Sequence, residues 1–341
     1  MNTQQKQDIQ DFSETFSLAS DLENATFLIT GATGLIGSTL VRCLVSLKQN
    51  IRIIAPVRNV DKAKRTFDGI DNEICFVPYD IDTFDYSGIA PVDYVVHCAA
   101  PTSSKYFVEH AVETINAICK GTSFILEHVK KHPIKSMVYL SSLEVYGSIS
   151  DDSTFVTENI QGYLDPTDVR SSYPMAKRTM ENLCVSYARE YNVPVKIARL
   201  TQTTGAGIAG DDNRVIAQFA RLTADGKDIV LHTTGEAARP YCYTTDCISA
   251  ILYILLKGKS GEAYNVANED TYISARGMAD FLQKNFNPKI SVRVELNNNM
   301  GYAPVTKIRL SSEKLRSLGW EPKYGLKKIF EKLIASFEIK P

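Results

Sequence analysis

Two spacings of apolar residues alternate along most of this chain. Short runs rich in Val, Ile and Phe recur at Ala25–Thr30, Ile51–Val57, Ile74–Pro78, Tyr94–Cys98, Ser136–Ser141 and Val195–Leu200. Between them lie longer stretches with apolar positions three and four apart, at Leu35–Leu47, Pro174–Tyr191 and Val112–Lys131, the last ending before His132-Pro133. The first spacing predicts buried strands and the second helices. Strands of about five residues alternating with longer helices predict an α/β fold with a parallel sheet covered on both faces. Ahead of it, Ile9, Phe12, Phe16, Leu18 and Leu22 stand among acids and glutamines, which predicts an N-terminal helical arm over 1–24, docked on the core or on a partner subunit. Beyond 205 the pattern becomes irregular. Strands are expected at Ile229–His232, Tyr264–Val266 and Ile290–Val294, helices near 213–224, 245–257 and 274–285, and a helical tail over Ser311–Phe337. Residues 205–341 read as a smaller substrate lobe, interleaved with a first domain over 25–204.

Composition narrows the classes. The 341 residues are 44% hydrophobic and 23% charged, enough for a sizeable core, and the formal net charge is −1. No basic field exists to attract nucleic acid or an anionic membrane. Seven cysteines, an odd number without a C-x-x-C pair, read as reduced thiols and not as a disulfide frame or metal site. With a polar N-terminus and no apolar run long enough to span a bilayer, a cytoplasmic protein is expected.

The chemistry starts in Gly31-Ala32-Thr33-Gly34-Leu35-Ile36-Gly37, between an expected strand and helix. Glycines there allow a tight turn and close approach of the backbone to a pyrophosphate at the helix N-terminus. The architecture is therefore a Rossmann-type doubly wound sheet, with Gly31, Thr33, Gly34, Leu35, Ile36 and Gly37 on the cofactor. The second strand ends in Arg58-Asn59, without the carboxylate that holds a ribose diol, and Asp61 falls beyond the strand end. Arg58 with Lys62 suits a 2′-phosphate, so tightly bound NADP is favoured over NAD. Asp80 and Ile81 after the third strand, Ala99 and Ala100 after the fourth, and Leu200 complete the expected cofactor contacts. His97 is expected to be a packed core residue.

Tyr173 and Lys177 are four residues apart, on one face of an expected helix. A free phenol has a pKa of about 10, so it needs a neighbouring cation to act as a base at neutral pH, and Lys177 is expected to supply it. Ser142, at the end of a strand, would orient a substrate oxygen, and Glu144 is either a second acid/base or a carboxylate bonded to local backbone.

At this point the chain resembles the extended short-chain dehydrogenase/reductases, in particular the NAD(P)-dependent nucleotide-sugar epimerase/dehydratase family. The resemblance runs from about 25 to 335 and rests on TGATGLIGSTL, VDYVVHCAAPTS, the Lys-Gly-Thr at 120–122, YLSSLEVYG, RSSYPMAKR, ARPYCYTTD and LGWEP. It is most similar to UDP-glucuronate decarboxylases and sugar epimerases. The resemblance implies an enzyme, isomerase or lyase, that transiently oxidises a sugar hydroxyl on a nucleotide-diphosphate sugar and then returns the hydride. It also implies a homodimer built on a four-helix interface from the helices near 112–131 and 174–191. Arg239 matches the arginine that clamps the diphosphate, and Ser103, Gln202, Arg214 and Val215 fall at substrate-contacting positions. Arg170 is a further cation for charge or a sugar carboxylate. In the family's 4,6-dehydratases an Asp-Glu pair follows the catalytic hydroxyl. Here Leu143 replaces the aspartate, which leaves no acid for the departing hydroxyl. Gln202 replaces an asparagine that contacts phosphate, and Ile118 an asparagine that precedes Gly-Thr. A net NADPH-dependent reductase, a 4,6-dehydratase and a non-catalytic dinucleotide-binding regulator are the alternatives.

Overall fold

A computed structural model describes residues 1–80, 88–149, 151–297 and 305–337. The chain opens with α1 (Thr3–Thr15), capped by Asn2 and Gln5, and a 3-10 turn over Ala19–Leu22. Then come β1 (Thr26–Thr30), α2 (Leu35–Ser46), β2 (Arg52–Val57), α3 (Val60–Thr66), β3 (Ile74–Pro78), β4 (Tyr94–His97), α4 (Ser104–Glu109) and α5 (Ala111–Lys131). The next elements are β5 (Ser136–Ser142), α6 (Ser172–Tyr191), β6 (Val195–Leu200), β7 (Gln202–Thr204), α7 (Val215–Ala224), β8 (Ile229–Leu231), β9 (Ala238–Tyr243) and α8 (Thr244–Lys257). The last are β10 (Ala263–Val266), β11 (Asn268–Ser274), α9 (Ala275–Asn285), β12 (Val292–Val294), α10 (Glu313–Arg316) and α11 (Leu326–Phe337).

Seven strands form a parallel sheet in the order β10-β6-β5-β4-β1-β2-β3. The order reverses between β1 and β4, the arrangement of a Rossmann-type sheet, whose ligand crevice lies outside the carboxyl ends of the strands at that point. β1, β4 and β6 are buried along their whole length, so sheet membership shows as apolar runs and not as alternation. One face packs on α1, α2 and α8 through Phe12, Leu40, Leu44, Ile251 and Leu255. The other packs on α5 and α6 through Ile118, Ile125, Met180 and Cys184. A second sheet, β11-β9-β7, and the pair β12-β8 build the later lobe, with their own core around Phe219, Tyr243, Leu282 and Phe330.

Tyr264–Val266, expected in the substrate lobe, is the edge strand β10 of the large sheet, paired in parallel with β6. The helical tail expected over Ser311–Phe337 is broken into α10 and α11. Gly319 adopts a φ of 95° and Pro322 follows, and Trp320 is buried with its indole N–H donating to Ser249 Oγ at 2.9 Å. The arm docks on both parts of the molecule. Asp8, on α1, receives hydrogen bonds from Lys332 Nζ of α11 (2.7 Å) and Tyr243 Oη of β9 (2.5 Å).

Candidate active site

The turn between β1 and α2 is shaped by its glycines. Gly31 has a φ of 67°, and a Cβ there would lie 2.8 Å from the Ala99 amide nitrogen. A Cβ on Gly37 would collide with the Gly31 carbonyl oxygen. Gly34 has more room and forms the N-cap of α2 without any side-chain cap. The first amides of that helix therefore have no side-chain acceptor, and Thr33 and Gly34 are exposed above them. Such a terminus fits the pyrophosphate of a dinucleotide. Leu35 and Ile36 are half-buried beside it. Ala99 and Ala100 close the crevice after β4, the Ala99 amide donating to Thr30 Oγ1 at 3.3 Å.

The remaining cofactor candidates are less uniform. Arg58 is exposed at the end of β2 and makes no ion pair among the described residues. Asn59 uses its side chain to cap α3, accepting from the Lys62 amide at 2.8 Å. Asp80 is exposed after β3, and Ile81 lies outside the described residues. Leu200 ends β6 in register with Ser142.

Ser142 closes β5, and a 3-10 turn over Leu143–Tyr146 carries Glu144, whose amide donates to Ser142 Oγ at 3.2 Å. Tyr173 is the second residue of α6 and Lys177 follows one turn later. The Tyr173 ring is buried and stacks on Phe107 of α4, with centroids 4.2 Å apart and planes 6° apart. Lys177 is buried, and its Nζ donates to the Leu140 carbonyl at 2.7 Å, 4.7 Å from the Tyr139 ring centroid.

The expected lowering of the phenol by Lys177 is reversed here. Burial pushes Tyr173 up and the Glu144 carboxylate adds to it, while the Ser142 hydroxyl and the Arg170 guanidinium oppose them. Burial also pushes Lys177 down to about 8, against the pull of Glu181. Burial is the main reason, and the Lys177 ammonium, turned onto the β5 backbone 5.8 Å from the Tyr173 ring centroid, does not offset it. His97 is the core residue the sequence suggested. Its Nδ1 meets Thr30 Oγ1 at 2.7 Å and its Nε2 meets Thr122 Oγ1 at 3.2 Å, and burial pushes it down to about 3.

Glu144 does not bond only to local backbone, because Arg170 forks onto both of its oxygens at 3.1 and 3.5 Å. On the lobe side, the β7–β9 register sets Gln202 opposite Tyr241, and Arg239, two residues earlier on β9, shares that face. Arg239 is half-buried and its guanidinium makes no hydrogen bond or ion pair among the described residues. Arg214 is not available in the same way. It pairs with Asp212 at 2.6 Å and donates to the Thr203 carbonyl at 2.7 Å, which ties down the loop before α7. Val215 is exposed at the first position of α7, and Ser103 caps α4 from an exposed position.

Sequence reasoning missed Phe107 and the buried pair Arg199–Glu181. Glu181 carried a faint signal, as an acid one turn beyond Lys177 on the same helix. Nothing in the sequence tied Phe107 to Tyr173.

Known proteins resemble this chain in sequence and in fold. A family model described as the NAD dependent epimerase/dehydratase family matches residues 27–267. UDP-glucuronic acid decarboxylase 6 of Arabidopsis thaliana is 27% identical over 306 residues, covering 89% of this chain and 86% of the relative. The dTDP-D-glucose 4,6-dehydratase of Bos taurus is 28% identical over 326 residues, covering 89% and 87%. Among solved structures, a UDP-glucose 4-epimerase from Thermotoga maritima with UDP-glucose superposes with a TM-score of 0.77 at 22% identity, covering 92% of this chain and 98% of that one.

Proposed function

The chain belongs to the NAD dependent epimerase/dehydratase family, and from that premise we propose that it remodels the sugar of a nucleotide-diphosphate sugar by transient oxidation of a hydroxyl to a ketone. The outcome is epimerisation or decarboxylation. The observation that carries this reading is the convergence of Ser142, Glu144, Tyr173 and Lys177 where β5 meets α6, one strand from the Ala99–Gly31 contact. Bound NAD(P) would supply the hydride acceptor and donor. Tyr173 accepts the hydroxyl proton, with Ser142 sharing the hydrogen bond. Lys177 would hold the nicotinamide ribose. Glu144 is the second base, for the carbon beside the ketone. Arg239, with Gln202 beside it, pairs with the diphosphate, the contact for which a guanidinium is best suited. Leu143 is buried and apolar, which disfavours a dehydratase that needs an acid there.

The exposed Arg58 supports NADP over NAD. Residues 25–204 with β10 serve the cofactor and the rest of 205–341 the nucleotide sugar. Val112 and Ile115 are exposed on α5, 66% and 42%, and support a homodimer through α5 and α6. Free thiols throughout the chain support a cytoplasmic location.

The test is to purify the protein, identify any dinucleotide released on denaturation, and offer UDP-, CDP-, GDP- and dTDP-sugars without added nicotinamide. Product NMR should show an epimerised or decarboxylated sugar. Conversion only with stoichiometric consumption of NADPH would overturn the reading in favour of a net reductase.

A further inference from the structure

Arg170 precedes Tyr173 by three residues, in the 3-10 turn Val169–Ser171 that leads into α6. The turn is fixed by Asp168, whose carboxylate accepts the Arg170 amide at 2.9 Å. From there the guanidinium reaches two other segments. It forks onto Glu144, in the turn after β5, and its Cζ lies 5.4 Å from the centroid of the Phe107 ring on α4. Phe107 in turn lies flat against Tyr173, and the Ser172 hydroxyl donates to the Phe107 carbonyl at 3.0 Å. Guanidinium, phenyl and phenol therefore form a ladder. Glu144 closes it, because its own amide is bonded to Ser142.

An exposed ion pair contributes less than about 1 kcal/mol to stability. With side chains 29% and 32% exposed, the Arg170–Glu144 pair is poorly placed to hold the fold together. It is well placed to act on its neighbours. A carboxylate beside a phenol that must ionise opposes that ionisation, and a guanidinium forked on the carboxylate cancels much of its field. The charged and titratable groups facing Tyr173 among the described residues are Glu144 after β5, Arg170 before α6, Tyr139 on β5 and Lys177 on its own helix, and α4 contributes only the neutral Phe107.

We infer that Arg170 is a positioning residue: its fork holds Glu144 at a fixed place beside Tyr173, and its charge offsets the carboxylate so that the phenol can lose its proton. The inference rests on the dinucleotide reading above and adds a residue that acts through its grip on Glu144 and through its own charge near Tyr173.

The experiment titrates Tyr173 directly, by NMR of ring-labelled tyrosine in the dinucleotide-loaded protein, with Tyr173→Phe identifying the resonance. Arg170→Gln should raise the midpoint by about one pH unit. Arg170→Lys, which keeps a charge but loses the fork, should restore part of the shift. The double variant Arg170→Gln/Glu144→Gln should return the midpoint to the parent value or below it. Circular dichroism and the thermal midpoint establish that each variant is folded. A midpoint unchanged in Arg170→Gln, in a parent that titrates below pH 10, overturns this inference alone. A parent phenol that does not titrate below pH 10 overturns both the dinucleotide reading and the inference built on it.

Discussion

Two Arg–Glu pairs flank α6, and they differ in almost everything except chemistry. Arg199–Glu181 is 9% exposed on each side, with a closest contact of 2.7 Å. Its spare donors are used as well: Arg199 Nη1 donates to Tyr146 Oη at 3.0 Å and to the Glu158 carbonyl at 2.8 Å, and Tyr146 Oη donates to Asn265 Oδ1 at 2.6 Å. One guanidinium thereby links α6, β6, the turn after β5 and β10. Arg170–Glu144, at the N-terminal end of the helix, is about one-third exposed, and its guanidinium makes no further hydrogen bond among the described residues. The difference separates scaffold from tuning. A buried, fully satisfied pair fixes where the helix sits, and a partly exposed pair leaves its charges free to respond to what binds beside them.

Asp246 shows what a buried carboxylate does without a guanidinium. It is 2% exposed, accepts the amides of Lys323 and Tyr324 at 3.1 and 3.0 Å, and makes no ion pair among the described residues. Burial pushes it up to about 6, and the two amides only partly oppose that.

The largest effect is expected at the buried pair. Arg199→Met leaves Glu181 buried without a partner and should cost about 3–5 kcal/mol, read as a loss of the urea midpoint. A loss under about 1 kcal/mol would mean that the two regions do not differ as described. Asp246→Asn comes next. The native carboxyl has a folded pKa of about 6, above the roughly 3.9 of an unfolded Asp. Ionisation therefore costs stability as pH rises from 4 to 6, and the cost is complete above that. Asparagine has no such cost, so the variant's thermal midpoint should gain on the parent's through that window and hold the gain at neutral pH, by on the order of 2 kcal/mol. A pH-independent difference between the two would contradict the assignment. The smallest change is expected from Arg170→Gln, whose stability should move by less than about 1 kcal/mol even though the Tyr173 titration shifts. A large unfolding effect there would place Arg170 in the scaffold with Arg199.

Much of the Rossmann half was legible in the sequence because its signals are local. β1, β4 and β6 are covered on both faces, so they appear as unbroken apolar runs, and Gly31 and Gly37 of the turn stand where no Cβ fits. The later lobe was harder to read. β8 was expected, at Ile229–His232, but β7 is only three residues long, β9 carries an arginine and a proline, and β11 is polar, so none of these three announces itself. Whether Ala263–Val266 joins the large sheet or the lobe depends on pairing with a strand more than sixty residues away. No local pattern records that choice.

The sequence by itself determined the alternation of strand and helix, the glycine turn, and the spacing that sets Tyr173 and Lys177 one helical turn apart, because each follows from residues within a few positions of one another. Tertiary structure alone decided that the Lys177 ammonium turns onto the Leu140 carbonyl, that Phe107 lies against the phenol, and that Arg170 claims Glu144. Those contacts join segments brought together only by the folded core, and the protonation behaviour of the site depends on burial and on charges that the core places beside it.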